Sequence, residues 1–313
     1  MSAQPAPYFE DVSNGPDGGY AVWLRAADGV RVRAAFWPEG HKGTIFLFPG
    51  RTEYVEKYSD AARFLSEAGF AAVAIDWRGQ GLTERPEHNR RIGHVNDFSD
   101  FQLDVQAVLD HARERGLPRP WHLLGHSMGG LIGLRSLVDG RDFDRAVFSA
   151  PMWGLPIAPH LRAVAWTISS IGSSLGFGQR DTPGSGKVAD PAAAPFEGNL
   201  LTNDANMFGW MKNQVVTHPD LALGGPSLGW LWAALREMHA LARTAAPEVP
   251  CLTLLGTDEG IVDPDAIHVR LASWPGATLE LIDGARHEAL MEDEATRRRL
   301  YGLIVSHYEG GAA

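Results

Sequence analysis

A serine hydroxyl is a weak nucleophile until a base takes its proton. Gly125-His126-Ser127-Met128-Gly129 is where this sequence best offers such a serine. An apolar run, Trp121 to Leu124, precedes it, and a small-residue, helix-like segment, Gly130 to Val138, follows. A sharp strand-to-helix turn presents a serine at its apex, and only small flanking residues let the two backbones approach there. The helix beyond it aims N–H groups and its positive dipole end at a developing oxyanion. The same glycine–serine–glycine spacing recurs around Ser174 and around Ser227. Ser174 follows a helix-like stretch and leads into a Gly-rich loop. Ser227 opens the helix-like run Leu228 to Leu241 with no strand before it, and reads as a helix N-cap. Only Ser127 has strand, turn and helix in order.

Such a serine needs a base, and the base needs an orienting acid. On a strand–turn–helix scaffold these follow the serine in the order acid, then histidine. Twelve histidines compete. His126 lies inside the turn, where its side chain points away from the nucleophile. His122 falls within a strand, and His268 and His307 fall on helices. His287 sits in the loop Asp283 to Glu288, after the strand-like run Thr278 to Ile282, where a base can swing over the nucleophile. The acid should follow the strand-like run Pro250 to Leu255, in the loop Gly256 to Asp263. Asp258, Glu259 and Asp263 compete there, and spacing alone does not choose. Asp263 precedes Pro264 and reads as a helix N-cap, leaving the two nearer the strand end.

An oxyanion requires two N–H donors. Met128, directly after the nucleophile, supplies one. The loop Phe48-Pro49-Gly50-Arg51-Thr52-Glu53 supplies the other, with the Arg51 N–H as the expected donor. The Arg51 side chain is expected to pair with Glu53 or another acid rather than with substrate.

The elements that must hold these groups alternate. Tyr20 to Leu24 and Val30 to Trp37 flank Asp28-Gly29, a hairpin signal. Thr44 to Phe48 is a continuous apolar run, as for a strand buried on both faces. A helix is expected over Glu53 to Ala68, a strand over Phe70 to Ile75 and a long helix over Asp97 to Arg115. The Trp121 to Leu124 strand, the Gly130 to Val138 helix and a strand over Ala146 to Ser149 follow. This pattern predicts a mostly parallel sheet with right-handed crossovers. It breaks at Pro151. From Met152 to about Thr244, helix-like pieces are separated by Gly- and Pro-rich turns, as in Gly176 to Gly186 and Asp190 to Pro195. It resumes at Pro250 to Leu255, with a helix over Pro264 to Ala272, a strand over Thr278 to Ile282 and a helix over Glu294 to Tyr308.

The middle third therefore reads as a helical cap: core over 1–150, cap over 151–245, core again over 246–313. Trp153, Trp166, Trp210, Trp230 and Trp232, half of the 10 tryptophans, lie in the cap with Met152, Met207, Met211 and Met238. They either pack the cap's own core or line an apolar funnel for an acyl chain.

Composition narrows the classes. The 313 residues are 44% hydrophobic and 21% charged, ordinary for one large α/β domain with an insertion. A net charge of −10 with no Lys/Arg cluster speaks against a nucleic-acid partner. The single cysteine, Cys251, excludes an internal disulfide and reads as a core residue. Met1 to Asp11 lacks the pattern of a signal peptide, and no apolar run is long enough for a transmembrane segment. The expected address is cytoplasmic, with peripheral, transient membrane contact through the cap. No His/Cys/Asp cluster has metal-ligand spacing, so neither metal nor cofactor is expected.

The motifs together resemble the α/β-hydrolases of the monoacylglycerol lipase kind, and within them the bacterial lysophospholipase branch. The resemblance rests on Pro49-Gly50-Arg51-Thr52-Glu53 with Lys57-Tyr58, and on Asp76-Trp77-Arg78-Gly79-Gln80-Gly81. It rests further on Gly93-His94-Val95-Asn96-Asp97-Phe98, Gly125-His126-Ser127-Met128-Gly129-Gly130 and Gly284-Ala285-Arg286-His287-Glu288. It implies an α/β-hydrolase fold, a mostly parallel sheet flanked by helices with an inserted helical cap. The family places its acid three residues before a valine, here Val262, which implies Glu259, with Asp258 second. The family usually has Asp there, and the lysophospholipase-like branch looks able to use Glu.

The implied activity is cofactor-independent hydrolysis of carboxylic esters through an acyl-enzyme, with lysophospholipids or monoacylglycerols as substrates. Ser127, Glu259 and His287 would form the triad, with Arg51 and Met128 as the oxyanion hole. The alternatives are a small-ester or C–C bond hydrolase using the same triad, or a non-catalytic binding protein of the same fold. A dehalogenase or epoxide hydrolase would need Asp where Ser127 stands.

Overall fold

The computed structural model describes residues 3–86, 89–182 and 191–311. Nine strands form one sheet in the order β1-β2-β3-β5-β4-β6-β7-β8-β9. They are β1 Gln4–Ala6, β2 Tyr20–Arg25, β3 Arg31–Trp37, β4 Thr44–Phe48, β5 Ala71–Asp76, β6 Trp121–His126, β7 Arg145–Ser149, β8 Cys251–Gly256 and β9 Ala277–Ile282. The strands from β5 through β9 pair parallel, and β1, β2, β3 and β5 pair antiparallel. Gly29, at φ +91°, closes the β2–β3 hairpin where Asp28-Gly29 signalled it. All five residues of β4 and all six of β5, β6 and β8 are buried, as expected of strands covered on both faces.

Five helices cover this sheet. Helices α1 (Ser59–Glu67) and α8 (Glu294–Tyr308) pack on one face, around Phe64, Leu65, Leu300 and Ile304. Helices α2 (Phe101–Glu114), α3 (Met128–Val138) and α7 (Pro264–Ala272) pack on the other, around Phe101, Val105, Leu131 and Ile267. Between β7 and β8 the described residues hold three further helices and no strand: α4 (Pro159–Gly172), α5 (Ala205–Thr217) and α6 (Leu228–Leu241). Part of the expected Gly/Pro-rich turns, residues 183–190, lies outside the described residues.

The departures from the sequence reading are local. Helix α1 starts at Ser59, not Glu53, because Glu53 and Val55 are tied down elsewhere: the Val55 N–H donates to Asp76 Oδ1 at 2.8 Å, and a single 3₁₀ turn spans Val55–Tyr58. Similarly, Asp97 caps a 3₁₀ turn, Phe98–Asp100, before α2 begins. Strand β1 was not anticipated, since two prolines lie in or beside it. Among the described residues no helix is long and apolar enough to cross a membrane.

Candidate active site

Ser127 stands at the apex between β6 and α3 with φ +50° and ψ −117°. A left-handed backbone at a non-glycine residue costs about 1–3 kcal/mol and persists only where the surroundings enforce it. Here they do. The Ser127 N–H donates to the Ser149 carbonyl (3.0 Å), and its carbonyl accepts from Gly130 (2.9 Å) and Met152 (2.9 Å). The flanking glycines let the turn close. A Cβ on Gly125 would lie 2.9 Å from the Gly129 carbonyl oxygen, one on Gly129 would overlap the Phe48 carbonyl, and one on Gly130 would lie 2.6 Å from Pro151 Cβ. Among the described residues, Thr52 (φ +71°) and Ala150 (φ +43°) are the other left-handed non-glycine residues, so the strained positions follow β4, β6 and β7.

The β8 and β9 loops bring two expected residues together. His287 Nδ1 lies 2.8 Å from Glu259 Oε2. Glu259 Oε1 accepts from the N–H groups of Ile261 (2.6 Å) and Val262 (3.0 Å). The spacing to Val262 thus has a physical meaning: the carboxylate folds back on the amide three residues ahead. Burial pushes the Glu259 carboxyl up, but the His287 hydrogen bond and charge and the two backbone donors outweigh it and hold it below its ordinary range. Asp258 is exposed, and Asp263 caps α7 by accepting from the Asp265 N–H (3.1 Å). No hydrogen bond joins Ser127 Oγ to His287 among the described residues. The backbone of the His287 loop is clamped by the inserted segment, with His287 N–H donating to the Leu200 carbonyl (3.3 Å) and Glu288 N–H to Leu201 (2.8 Å).

The amide N–H groups of Arg51 and Met128 have no hydrogen-bond partner among the described residues. The loop carrying Arg51 is held from behind by the Asp76-to-Gly81 motif. Trp77 Nε1 donates to the Pro49 carbonyl (2.8 Å), Gln80 Nε2 to the Gly50 carbonyl (3.2 Å), and Gln80 Oε1 accepts from the Thr52 N–H (3.1 Å). Two fixed, unpaired N–H groups can donate to a developing oxyanion.

The expected Arg51–Glu53 ion pair is absent. Glu53 instead accepts from the Gly50 N–H, Lys57 Nζ and Tyr58 Oη (2.6 Å to the last). Lys57 Nζ also meets Glu288 Oε1 at 2.5 Å, and Glu288 lies 3.3 Å from His126 Nε2. This buried cluster went unnoticed in the sequence because Glu53 and Lys57, four residues apart, look like a solvated surface pair. Burial penalises the Glu288 charge, yet His126 and Lys57 hold its carboxyl well below the usual range. His126 is turned from the serine as expected: Nδ1 lies 3.0 Å from the Ser149 carbonyl, and the ring packs 4.8 Å from that of His287. Glu53, His126 and Glu288 are close enough to share a cation, but the Lys57 ammonium already bridges the two carboxylates.

The other serine motifs fall elsewhere. Ser227 caps α6, accepting from the Trp230 N–H at 3.0 Å, and lies 2.9 Å from His94 Nδ1. Ser174 lies on the turn Ser173–Phe177 after α4. Of the aromatic and methionine residues after Pro151, Met152, Trp153, Trp230 and Met238 are buried in the main core. Trp210 and Met207 line a cavity of about 30 Å³ with Lys57, Tyr58, His126 and Glu288, room for about one water molecule.

Comparison with known proteins agrees with this geometry. The serine aminopeptidase S33 family profile matches residues 39–294. A probable lysophospholipase L2 of Haemophilus influenzae is 30% identical over 266 residues, covering 84% of this chain and 82% of its own. Lysophospholipase L2 of Escherichia coli K12 is 29% identical over 292 residues, 90% of this chain and 85% of its own. A monoglyceride lipase of Saccharomyces cerevisiae, crystallised with a substrate analogue, superposes with a TM-score of 0.72 at 21% identity, over 98% of this chain and 100% of its own, which shows the shared fold.

Proposed function

We propose, for a chain that belongs to the serine aminopeptidase S33 family of α/β-hydrolases, that it hydrolyses the carboxylic esters of lysophospholipids and monoacylglycerols through an acyl-enzyme. His287 takes the Ser127 proton as Ser127 Oγ attacks the ester carbonyl. The Arg51 and Met128 N–H groups hold the tetrahedral oxyanion. His287 then protonates the departing alcohol, and later deprotonates the water that releases the fatty acid. Glu259 fixes the imidazole tautomer and stabilises its charged form. The observation that carries this reading is the 2.8 Å Glu259–His287 contact between the β8 and β9 loops, at the sheet end where Ser127 is held in its strained turn. The complete set of acid, base, serine and two unpaired N–H groups favours an enzyme over a binding protein on the same scaffold.

The described residues of the span 151–245 act as a cap over that end. The cap also meets a membrane face: Trp166, Ile171, Leu175 and Phe177, on α4 and the turn after it, are exposed. Binding of the chain to lipid vesicles, lost when these four are changed to serine, checks this contact.

The substrate is tested with a homologous ester series. Each buried methylene adds roughly 0.8 kcal/mol of transfer free energy, about a factor of four in binding if fully realised. Specificity constants measured below micelle formation should climb from acetyl toward medium or long acyl chains. An acetyl ester preferred over every long-chain ester would replace the lipid reading with a small-ester hydrolase.

A further inference from the structure

Arg33, Arg78, Arg85, Arg270 and Arg297, the buried arginines, all have acceptors: carboxylates for Arg33, Arg78 and Arg297, backbone carbonyls for Arg85 and Arg270. Arg51 differs. Its Nε and Nη2 are buried without a hydrogen-bond partner. Its guanidinium carbon lies 5.2 Å from the Trp230 ring centroid, and Gly93 makes room for it, since a Cβ there would stand 3.1 Å from Nη2. Burial pulls its pKa down to about 10, against a weaker upward pull from Asp181, so it stays cationic at neutral pH. Arg51 as a whole is half-buried, but leaving two of its inward N–H groups without an acceptor is costly, and such a site is built for an anion that is supplied from outside.

The position says which anion. The Arg51 amide is one of the two proposed oxyanion donors, so its Cα stands beside the reacting carbonyl. From Cα to guanidinium, an arginine spans nearly as many bonds as separate the ester carbonyl of a lysophospholipid from its phosphorus. The planar guanidinium fork matches phosphate oxygens in pairs. We propose that the Arg51 side chain receives the phosphate of the lysophospholipid head group, so that one residue serves the reacting carbonyl through its backbone and head-group choice through its side chain. This rests on the ester-hydrolase reading above. It makes phospholipid the preferred substrate over monoacylglycerol.

The test compares kcat/KM for lysophosphatidylethanolamine and a monoacylglycerol of the same acyl chain, both monomeric, in wild type, Arg51→Gln, Arg51→Lys and Asp181→Asn. The phospholipid-to-monoacylglycerol ratio should fall by about tenfold or more in Arg51→Gln, mainly through KM on the phospholipid, as for one lost charge-assisted contact. Arg51→Lys should restore part of it, and Asp181→Asn, which removes the competing acid, should raise it. sn-Glycerol 3-phosphate should inhibit wild type competitively and Arg51→Gln much less. A ratio unchanged in both Arg51 variants overturns the proposal, as does Asp181→Asn lowering both rates together, the result for a cap latch. Inorganic phosphate competing as well as glycerol 3-phosphate would mark a free-phosphate site and overturn the head-group assignment. If Arg51→Gln fails to fold, the Lys and Asn variants decide. If wild type hydrolyses no ester, the functional reading falls instead, and calorimetric titration of Ser127→Ala with glycerol 3-phosphate, with and without Arg51→Gln, still reads the subsite.

Discussion

The loop after β9 meets the segment between β7 and β8 at Leu200 and Leu201, yet the loops after β4, β6, β8 and β9 and that segment follow different rules. In the sheet-borne loops the polar side chains answer to specific hydrogen-bond partners. Glu259 folds onto Ile261 and Val262 and reaches His287, and Gln80 and Trp77 fix the carbonyls and amides around Arg51. In the inserted segment the large side chains answer to volume. Trp153 packs 5.2 Å from Phe148 and 6.1 Å from Trp274, and Trp230 joins the same core. Point-to-point contacts constrain the residue type at single positions; packing constrains only volume. Substitutions of the reacting groups in the first region should therefore cost rate at little cost in stability, and those of the large core-packed side chains in the second should cost stability with acyl-chain ranking kept.

The sharpest version of that contrast is at the nucleophile. Ser127→Ala should lower ester turnover by on the order of 10⁴ to 10⁶, because the covalent route is lost. Ser227→Ala should keep its turnover and lose only about 1 kcal/mol of stability as an N-cap. Next comes the acid. Glu259→Gln should cost roughly 10³ to 10⁴ in kcat by favouring the wrong imidazole tautomer, while exposed Asp258→Asn stays near wild type. A damaging Asp258→Asn beside a silent Glu259→Gln would exchange their roles.

The packing region gives the third prediction. Trp153→Ala should destabilise by about 3–5 kcal/mol in a denaturant titration while acyl-chain preference is unchanged. A shifted preference at unchanged stability would make Trp153 a substrate contact and blur the contrast. The smallest effect tests the buried cluster beside His287. Burial lowers the His126 pKa, but Glu288 and Glu53 raise it above its ordinary value. A raised folded-state pKa contributes stability that is full below the unfolded value and is lost as pH rises through the folded one. The Tm gap between wild type and His126→Gln should therefore be wider near about pH 6 than near about pH 9. An equal gap would mean that His126 holds the fold as a neutral ring.

What the sequence showed follows the same division. The alternating apolar runs located eight of the nine strands, and the bounds of α7 and α8 coincide with those expected. The turn at Ser127 and the loop holding His287 were legible because turn chemistry and chain order leave few choices. Glu259 needed the resemblance, since its bonds to Ile261 and Val262 are not visible as a pattern of residue types. The expectation that Arg51 pairs with Glu53 or another acid fails for a related reason. Two charges two residues apart suggest a pair, whereas Glu53 turns inward to Lys57 and Tyr58 and Arg51 turns to Trp230. Buried charges are arranged by contacts remote in the chain, such as Lys57 with Glu288, and local spacing carries no trace of them.

Ser127, the strained serine of the β6–α3 turn, and no other serine, should be the covalent centre. Treating the purified chain with a fluorophosphonate and mapping the adduct by peptide mass spectrometry tests it directly. One phosphonyl group is expected, on the peptide carrying Ser127, abolished in Ser127→Ala and strongly slowed in Glu259→Gln. An adduct on the Ser174 or Ser227 peptide, or labelling that survives in Ser127→Ala, would contradict it.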